Sequence, residues 1–135
     1  MSDMMTGAEL KVQLTGLGLT PVWLAERLGV ASRTIIRWFD LPEVPAKAAA
    51  EIDRITQITE EEMHRLVTNA EHGPLGAVIR TERTDHQAVR FPNTLPATWH
   101  RALTYRVVHA LRSSGLNVTV EYEDPFNHGA SGESA

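Results

Sequence analysis

The chain contains 135 residues, of which 42% are hydrophobic and 22% charged, a composition typical of an ordinary globular protein with one domain or two very small ones. Because it has no cysteine, it can form neither disulfides nor thiolate metal sites. Its formal net charge of −4 excludes the strongly basic surface that a DNA-coating protein needs.

Nothing in the sequence indicates a membrane or a secretion route. No apolar run approaches the length of a membrane span, and the amino terminus carries Asp3 and no early basic cluster, unlike a secretion signal. We therefore expect a cytoplasmic protein with no membrane partner.

The first predicted helix begins after Thr6. Thr6 can cap the helix and Glu9, three residues later, completes a capping box. Leu10 and Leu14 then give a one-sided apolar stripe. Two glycines end this helix, Gly16 and Gly18.

The segment from Thr20 to Trp38, TPVWLAERLGVASRTIIRW, has the spacing of two short helices joined by a sharp turn. Thr20 can cap the first helix, with Pro21 at the first helical position, and Gly29 can end it in a left-handed conformation. The second helix is predicted from about Ser32 to Trp38, with Ile35 and Trp38 on its buried face. This pattern predicts a helix-turn-helix.

The outward face of the second helix is rich in side chains that can contact DNA. Arg33 and Arg37 lie on it, Arg27 lies close by in the sequence, and no acidic residue separates the three. An ordinary pair of packed helices explains the apolar spacing but gives no reason for these charges. The predicted DNA-binding residues are Thr20, Arg27, Ser32, Arg33, Thr34, Ile36 and Arg37.

Seven residues of this segment resemble the framework positions of the Cro/CI (Xre-type) repressor family. The resemblance covers roughly the first 60 residues at most, and it implies that the second helix enters the DNA major groove. The framework residues are Leu24, Ala25, Leu28, Gly29, Val30, Ile35 and Trp38.

Two residues depart from the family pattern. Ala31 stands where a capping Ser or Thr usually precedes the second helix, so either Ser32 caps one residue late or the helix lacks a cap, at a cost of about 1 kcal/mol. Ile36 is apolar at a position that faces the groove. It can either touch thymine methyl groups or cover a neighbouring helix.

The charge balance shows no basic half. Residues 1–58 contain six basic and seven acidic residues, and residues 59–135 contain seven basic and ten acidic residues. DNA binding must therefore depend on a local patch, on dimerisation and on base contacts.

Beyond Trp38, Pro42 and Pro45 break the chain, and a strongly helical segment begins near Lys47. Its apolar face is predicted to contain Ala48, Ile52, Ile55, Thr59, Met63, Leu66 and Ala70. This spacing suits one long helix. However, Thr59 followed by three glutamates also resembles a fresh helix start, so a break near Ile58 stays open.

The carboxyl half has a strand–helix–strand rhythm. Residues 77–82 are a strand candidate, and a polar connection that includes Asp85 and Phe91 follows. Pro96 opens a helix that Gly115 closes, and residues 116–122 alternate like a half-buried strand. One face of this helix is predicted to contain Trp99, Leu103, Val107, Ala110 and Leu111. Two strands alone make a poor sheet with open edges, so we expect homodimerisation through residues 73–124.

These elements predict an α+β fold with an all-α helix-turn-helix domain over residues 1–72, a small β-α-β dimerisation domain over residues 73–124, and a disordered tail over residues 125–135. The layout is similar to that of the autorepressors of anti-CRISPR operons. That likeness implies repression of the protein's own operon, with Ser32, Arg33, Thr34 and Arg37 at the groove-facing positions.

The histidines do not indicate an enzyme. No pair has the i, i+3 or i, i+4 spacing of helical metal ligands, and Asp85 beside His86 cannot form a triad alone. There is no glycine-rich phosphate loop either. We expect no catalytic activity, cofactor or metal. The six histidines are His64, His72, His86, His100, His109 and His128.

The predicted function is a sequence-specific transcriptional regulator, most simply a dimeric repressor that reads a palindromic operator in double-stranded DNA. An RNA target stays open. Two alternatives use the same motif: a phage-type DNA packaging or recombination accessory factor, which would act as a scaffold, and a protein-interaction adaptor that grips a partner through Ile36 and the arginines.

Overall fold

The computed structural model describes residues 4–71, 77–81 and 95–122. Within them the protein is mostly helical, with five helices and a small two-stranded sheet, in agreement with a mixed α and β fold. The elements are α1 (Gly7–Gly16), α2 (Pro21–Leu28), α3 (Ser32–Trp38), α4 (Ala46–Glu71), β1 (Ala77–Thr81), α5 (Ala97–Ser113) and β2 (Val118–Tyr122).

The chain divides into two compact units, Met1–His64 and Arg65–Ala135. The division falls inside α4, whereas the glycines and proline that follow residue 72 predict a boundary beyond the end of that helix. Residues 72–76 lie outside the described part of the chain, as do the connection expected over residues 83–94 and the tail expected over residues 125–135. In the described ranges, no helix is long and apolar enough to cross a membrane.

The predicted capping box starts α1. The Thr6 hydroxyl accepts a hydrogen bond from the Glu9 backbone N–H at 3.0 Å, and the Glu9 carboxylate accepts one from the Thr6 backbone N–H at 2.8 Å. Leu10 and Leu14 are buried, as the stripe predicts. Gly18, in the turn after the helix, adopts a φ of 72°, which favours glycine.

At Gly7, the first residue of α1, the chain passes very close to the end of α3. A Cβ atom there would clash with the backbone carbonyl oxygens of Trp38 and Phe39. The Gly7 N–H donates a hydrogen bond to the Leu41 carbonyl oxygen at 2.9 Å. The missing side chain thus lets α1 fix the position at which α3 ends.

The helix-turn-helix segment forms α2 and α3, which pack against each other. The Thr20 hydroxyl caps α2 by accepting from the Trp23 N–H at 3.1 Å, and Gly29 ends the helix at a φ of 72°. Leu24, Ala25 and Ile35 are buried. Trp38 is half-buried, so it shares the inner face with Ile35 only in part.

α4 is continuous over 26 residues, which settles the question of a break near Ile58. Thr59 is 2% exposed, and its hydroxyl donates to the Ile55 carbonyl oxygen at 2.7 Å. The hydroxyl is therefore used inside the helix and does not cap a new one. Ala48, Ile52 and Ile55 are buried as predicted, whereas Met63, Leu66 and Ala70 are half-buried.

In the second unit, β1 and β2 are parallel neighbours on either side of α5 in the chain. Their register runs from Ala77 opposite Val118 to Thr81 opposite Tyr122. The strand–helix–strand order of the sequence analysis is therefore found, with Pro96 as the N-cap residue of α5.

The buried face of α5 lacks one predicted residue and includes several that were not predicted. Ala110 is exposed, and Val108 is buried in its place. The reason is helical geometry: His100, Thr104 and Val108 follow one another at four-residue spacing and are all buried, so the buried face widens on that side and not toward Ala110. The other predicted core residues are buried: Trp99, Leu103, Val107 and Leu111.

The prediction that β2 alternates between buried and exposed residues is wrong. Only Val118 is buried, while Val120 and Tyr122 are 43% and 49% exposed. Residues in register on neighbouring strands share a face, so these two side chains lie on the same side as the buried Ile79 and Thr81. α5 thus covers this face of β1 but leaves most of β2 open.

Candidate nucleic-acid interface

The exposed face of α3 carries the predicted groove-facing side chains. Arg33, Ile36 and Arg37 are exposed, and Ser32 and Thr34 are half-buried. The opposite face is anchored by Ile35, which is completely buried. This short helix therefore presents a polar and cationic surface from a fixed position.

Arg33 and Arg37 are four residues apart and so occupy neighbouring positions on one helical face. Neither side chain forms a hydrogen bond or an ion pair with any residue that the structure describes. Two planar guanidinium groups are thus available to an external acceptor such as a phosphate or the edge of a guanine base.

Ile36 lies between the two arginines in the sequence and is 53% exposed. Its side chain is open to solvent, as contact with a thymine methyl group requires.

Arg27 is placed differently from the arginines of α3. Its Nε atom lies 3.1 Å from Oε2 of Glu51 on α4, and its guanidinium lies 5.2 Å from the ring centre of Trp23. Arg27 therefore joins α2 to α4, and its charge is balanced inside the unit. Sequence reasoning missed Glu51 because it considered only the acids between the arginines along the chain.

Glu51 also binds Arg54, whose Nη2 atom lies 2.6 Å from the same carboxylate oxygen. The hydrogen bond from Arg54 is the main cause that lowers the pKa of Glu51; burial opposes it, and the charges of Arg54 and Arg27 assist it. The same hydrogen bond raises the pKa of Arg54. These charged side chains join α2 to α4 and stabilise the first unit.

The remaining predicted contacts lie at helix starts. Thr20 is exposed, and its hydroxyl oxygen already accepts the capping hydrogen bond of α2. Ala31 is the N-cap residue of α3 and offers no side-chain hydrogen bond, and Ser32, the first helical residue, does not cap one residue late. α3 therefore begins without a side-chain cap.

The described residues contain no group of three or more His, Asp or Glu side chains that could hold a metal ion. In the second unit, His100 is buried, with its Nδ1 atom 2.9 Å from the Thr81 hydroxyl and 3.4 Å from the Thr104 hydroxyl. The His109 ring lies edge-on to Tyr105, with 4.4 Å between ring centres. Both histidine side chains thus make contacts within the second unit.

No protein-family model matches this chain, and the search of curated proteins finds no similar sequence. The resemblance to the Cro/CI family is therefore carried by the quoted residues of α2, α3 and their turn.

Proposed function

We propose that this protein is a sequence-specific DNA-binding regulator of transcription that inserts α3 into the major groove. The observation that carries the proposal is the pair of exposed arginines on α3, Arg33 and Arg37, which have no protein partner among the described residues. Arginine pairs bidentately with the guanine edge or with a phosphate. Ser32, Thr34 and Ile36 would supply the neighbouring polar and apolar contacts.

The surroundings of α3 support this role because they hold the helix in place. Ile35 is buried beneath it, and the backbone at Gly7 closes on its carboxyl end. A fixed helix loses little conformational entropy when it binds. Arg27 and Thr20 act in the proposal as structural residues behind the interface, since their side chains are already engaged.

The proposed active form is a homodimer joined through the second unit, with the two copies of α3 about 34 Å apart on successive major grooves of a palindromic site. The near-neutral first half of the chain favours this arrangement, because one copy brings few phosphate contacts. By likeness to the autorepressors of anti-CRISPR operons, we propose repression of its own operon in the cytoplasm.

The test is a gel shift with the DNA upstream of the protein's own gene, compared with random DNA of equal length. Arg33→Ala or Arg37→Ala is expected to cost about 1 to 3 kcal/mol of binding free energy and to relax specificity at one base pair. Lys47→Ala on α4 is the matched control, because it removes the same charge from an exposed position off α3. Arg37→Lys separates bidentate reading from charge alone.

The outcomes distinguish the alternatives. Equal binding to upstream and random DNA contradicts autorepression. Binding that has no preferred sequence and that survives Arg37→Ala contradicts a role of α3 in reading DNA and favours the protein-interaction adaptor. A ring-sized oligomer in solution favours the packaging or recombination scaffold.

A further inference from the structure

On its side away from β1, β2 pairs with no strand in the described ranges, although the Val118 carbonyl oxygen accepts a hydrogen bond from the Arg112 side chain at 3.1 Å. In the described ranges it forms a ladder with β1 alone, so the N–H and C=O groups on its other side are not part of a sheet. A two-stranded sheet is marginal by itself, and an open edge is a template for another strand. A third strand added at this edge would therefore stabilise the sheet of the second unit.

The apolar surface beside this edge is also open. A cavity of about 490 Å³ lies between α5 and β2, and Tyr105, Val108, Val120 and Tyr122 are among the residues that line it. Tyr105 is 65% exposed, and Val120 and Tyr122 are each close to half-exposed. This groove lies on the side of the sheet that α5 covers, so a strand added to β2 would extend the same apolar face.

We infer that β2 pairs in antiparallel fashion with β2 of a second copy of this chain, centred on Val120. The result is a four-stranded sheet, in the order β1, β2, partner β2, partner β1, with both α5 helices on one face. The inference rests on the homodimer of the proposed function and names the surface that forms it.

The register follows from the length and sequence of the strand. A two-fold axis at Val120 overlaps all five residues of β2. Val120 then lies opposite Val120 of the second copy, and Val118 lies opposite Tyr122 of the second copy. The second of these is a β-branched residue opposite an aromatic one, which is a favourable cross-strand pair. Both pairs lie on the α5 side of the sheet.

The charges on the opposite face agree with this register. Glu121 is 3.7 Å from Arg80 of β1 within its own copy. Centring on Val120 places Glu121 opposite Thr119 of the partner, a hydroxyl that can donate to the carboxylate. A shift of the axis to Glu121 would place two carboxylates directly opposite each other, which destabilises a strand pair. The strand is thus complementary to itself in the register centred on Val120.

The absence of native cysteine allows a direct test by disulfide cross-linking. Val120→Cys is expected to form a covalent dimer under mild oxidation, because the two residues face each other. Thr119→Cys is the matched control: its two copies would be diagonal, with Cα atoms beyond the 7 Å that a disulfide can span. Thr119→Cys combined with Glu121→Cys is expected to cross-link again. Non-reducing electrophoresis measures each outcome.

A second pair of variants does not depend on disulfide chemistry. Val120→Glu would place two carboxylates opposite each other and is expected to weaken dimerisation at least about tenfold in sedimentation equilibrium. Val78→Glu is its control, since Val78 is 54% exposed on the other face of β1, away from the proposed pairing edge. Circular dichroism checks that both variants keep their helix content.

Each result has a defined meaning. A wild-type dimer in which Val120→Cys does not cross-link, or in which Thr119→Cys cross-links equally well, overturns this inference and leaves the homodimer standing. A monomeric wild-type protein overturns both. DNA binding is measured separately, so a protein that cross-links at Val120 but binds no DNA contradicts the regulator and not the β2 interface.

Discussion

Glu51 binds two arginines of the first unit. It lies between Arg27 of α2 and Arg54 of α4, and its side chain is 16% exposed. Arg27 therefore has a partner in Glu51, whereas the two arginines of α3 have none among the described residues. One acid thus divides three arginines into a structural one and two that are available for binding.

The lowered pKa of Glu51 makes a prediction about stability and pH. A carboxyl group whose pKa is lower in the folded than in the unfolded chain stabilises the fold above its unfolded pKa, near 4.5, and loses this effect as the pH falls through the folded value. Glu51→Gln is expected to lower the free energy of unfolding by about 1 kcal/mol at pH 7. The difference from wild type should shrink steadily below pH 4.5.

Urea unfolding at pH 7 and pH 3 measures this difference, with Glu60→Gln as a control at an exposed position of the same helix. A destabilisation that is as large at pH 3 as at pH 7 would show that Glu51 acts by packing and not by its charge.

Sequence patterns found the arginines but could not assign their roles. Arg33 and Arg37 are exposed because helical spacing places them on the face opposite the buried Ile35, and that spacing can be read from the sequence. The role of Arg27 depends on Glu51, which is 24 residues away in the sequence and belongs to a different helix. No local pattern contains such a contact.

At the scale of elements, the junction of α1 with the end of α3 sets the position of the proposed DNA-reading helix. This junction depends on Gly7, which is needed because the backbone at the end of α3 comes very close and not because the residue adopts a left-handed conformation. Gly7 was not predictable in the way that the helix-ending glycines were, since a glycine that opens a helix leaves no characteristic pattern. The signal that could have found it is its poor helix propensity beside a complete capping box.

Gly7→Ala is therefore expected to destabilise the protein by about 1 to 3 kcal/mol, because the added methyl group meets the rigid carbonyl groups of Trp38 and Phe39. Gly16→Ala, at the last residue of the same helix, is the matched control, since its added Cβ meets nothing within 4 Å. Chemical denaturation of the two variants gives the comparison. Equal stability of Gly7→Ala and Gly16→Ala would contradict the close approach.

Other elements show where local rules suffice. The capping box at Thr6, the cap at Thr20 and the turn at Gly29 need only a few neighbouring residues, and all three are found as expected. The continuity of α4 could not be decided in the same way. A threonine before three glutamates fits both a cap and a helix interior, and burial of Thr59 beside Ile55 decides between them.

At the scale of the whole molecule, the chain is a slightly acidic protein with a small cationic face, and we therefore expect it to bind DNA with two copies at once. The strand–helix–strand order of the second unit was predictable from periodicity and breakers. The exposure of Val120 and Tyr122 was not, because an alternating pattern does not state whether the covering surface belongs to the same chain or to another.

The proposed dimer predicts a strict operator geometry. Insertion of five base pairs between the half-sites turns one of them by about half a helical turn, so that both copies of α3 cannot engage together. Affinity is then expected to fall by about a hundredfold or more, toward that of a single half-site. Gel shifts with the natural and the lengthened operator measure the effect.

A spacer of unchanged length but altered sequence is the control for this experiment. If the lengthened operator binds as tightly as the natural one, the two copies of α3 are not held at a fixed distance and orientation, and the palindromic arrangement is wrong.

The parallel pairing of β1 with β2 also orders the events of folding. Ala77 and Val118 are partners although about 40 residues separate them, so the ladder forms only after a large loop has closed. The contacts between α2 and α3 are local by comparison, so we expect them to form early. Because residues 32–38 are synthesised long before residues 118–122, we expect a nascent chain to acquire its proposed DNA-reading helix before the strand that would join it to a second copy.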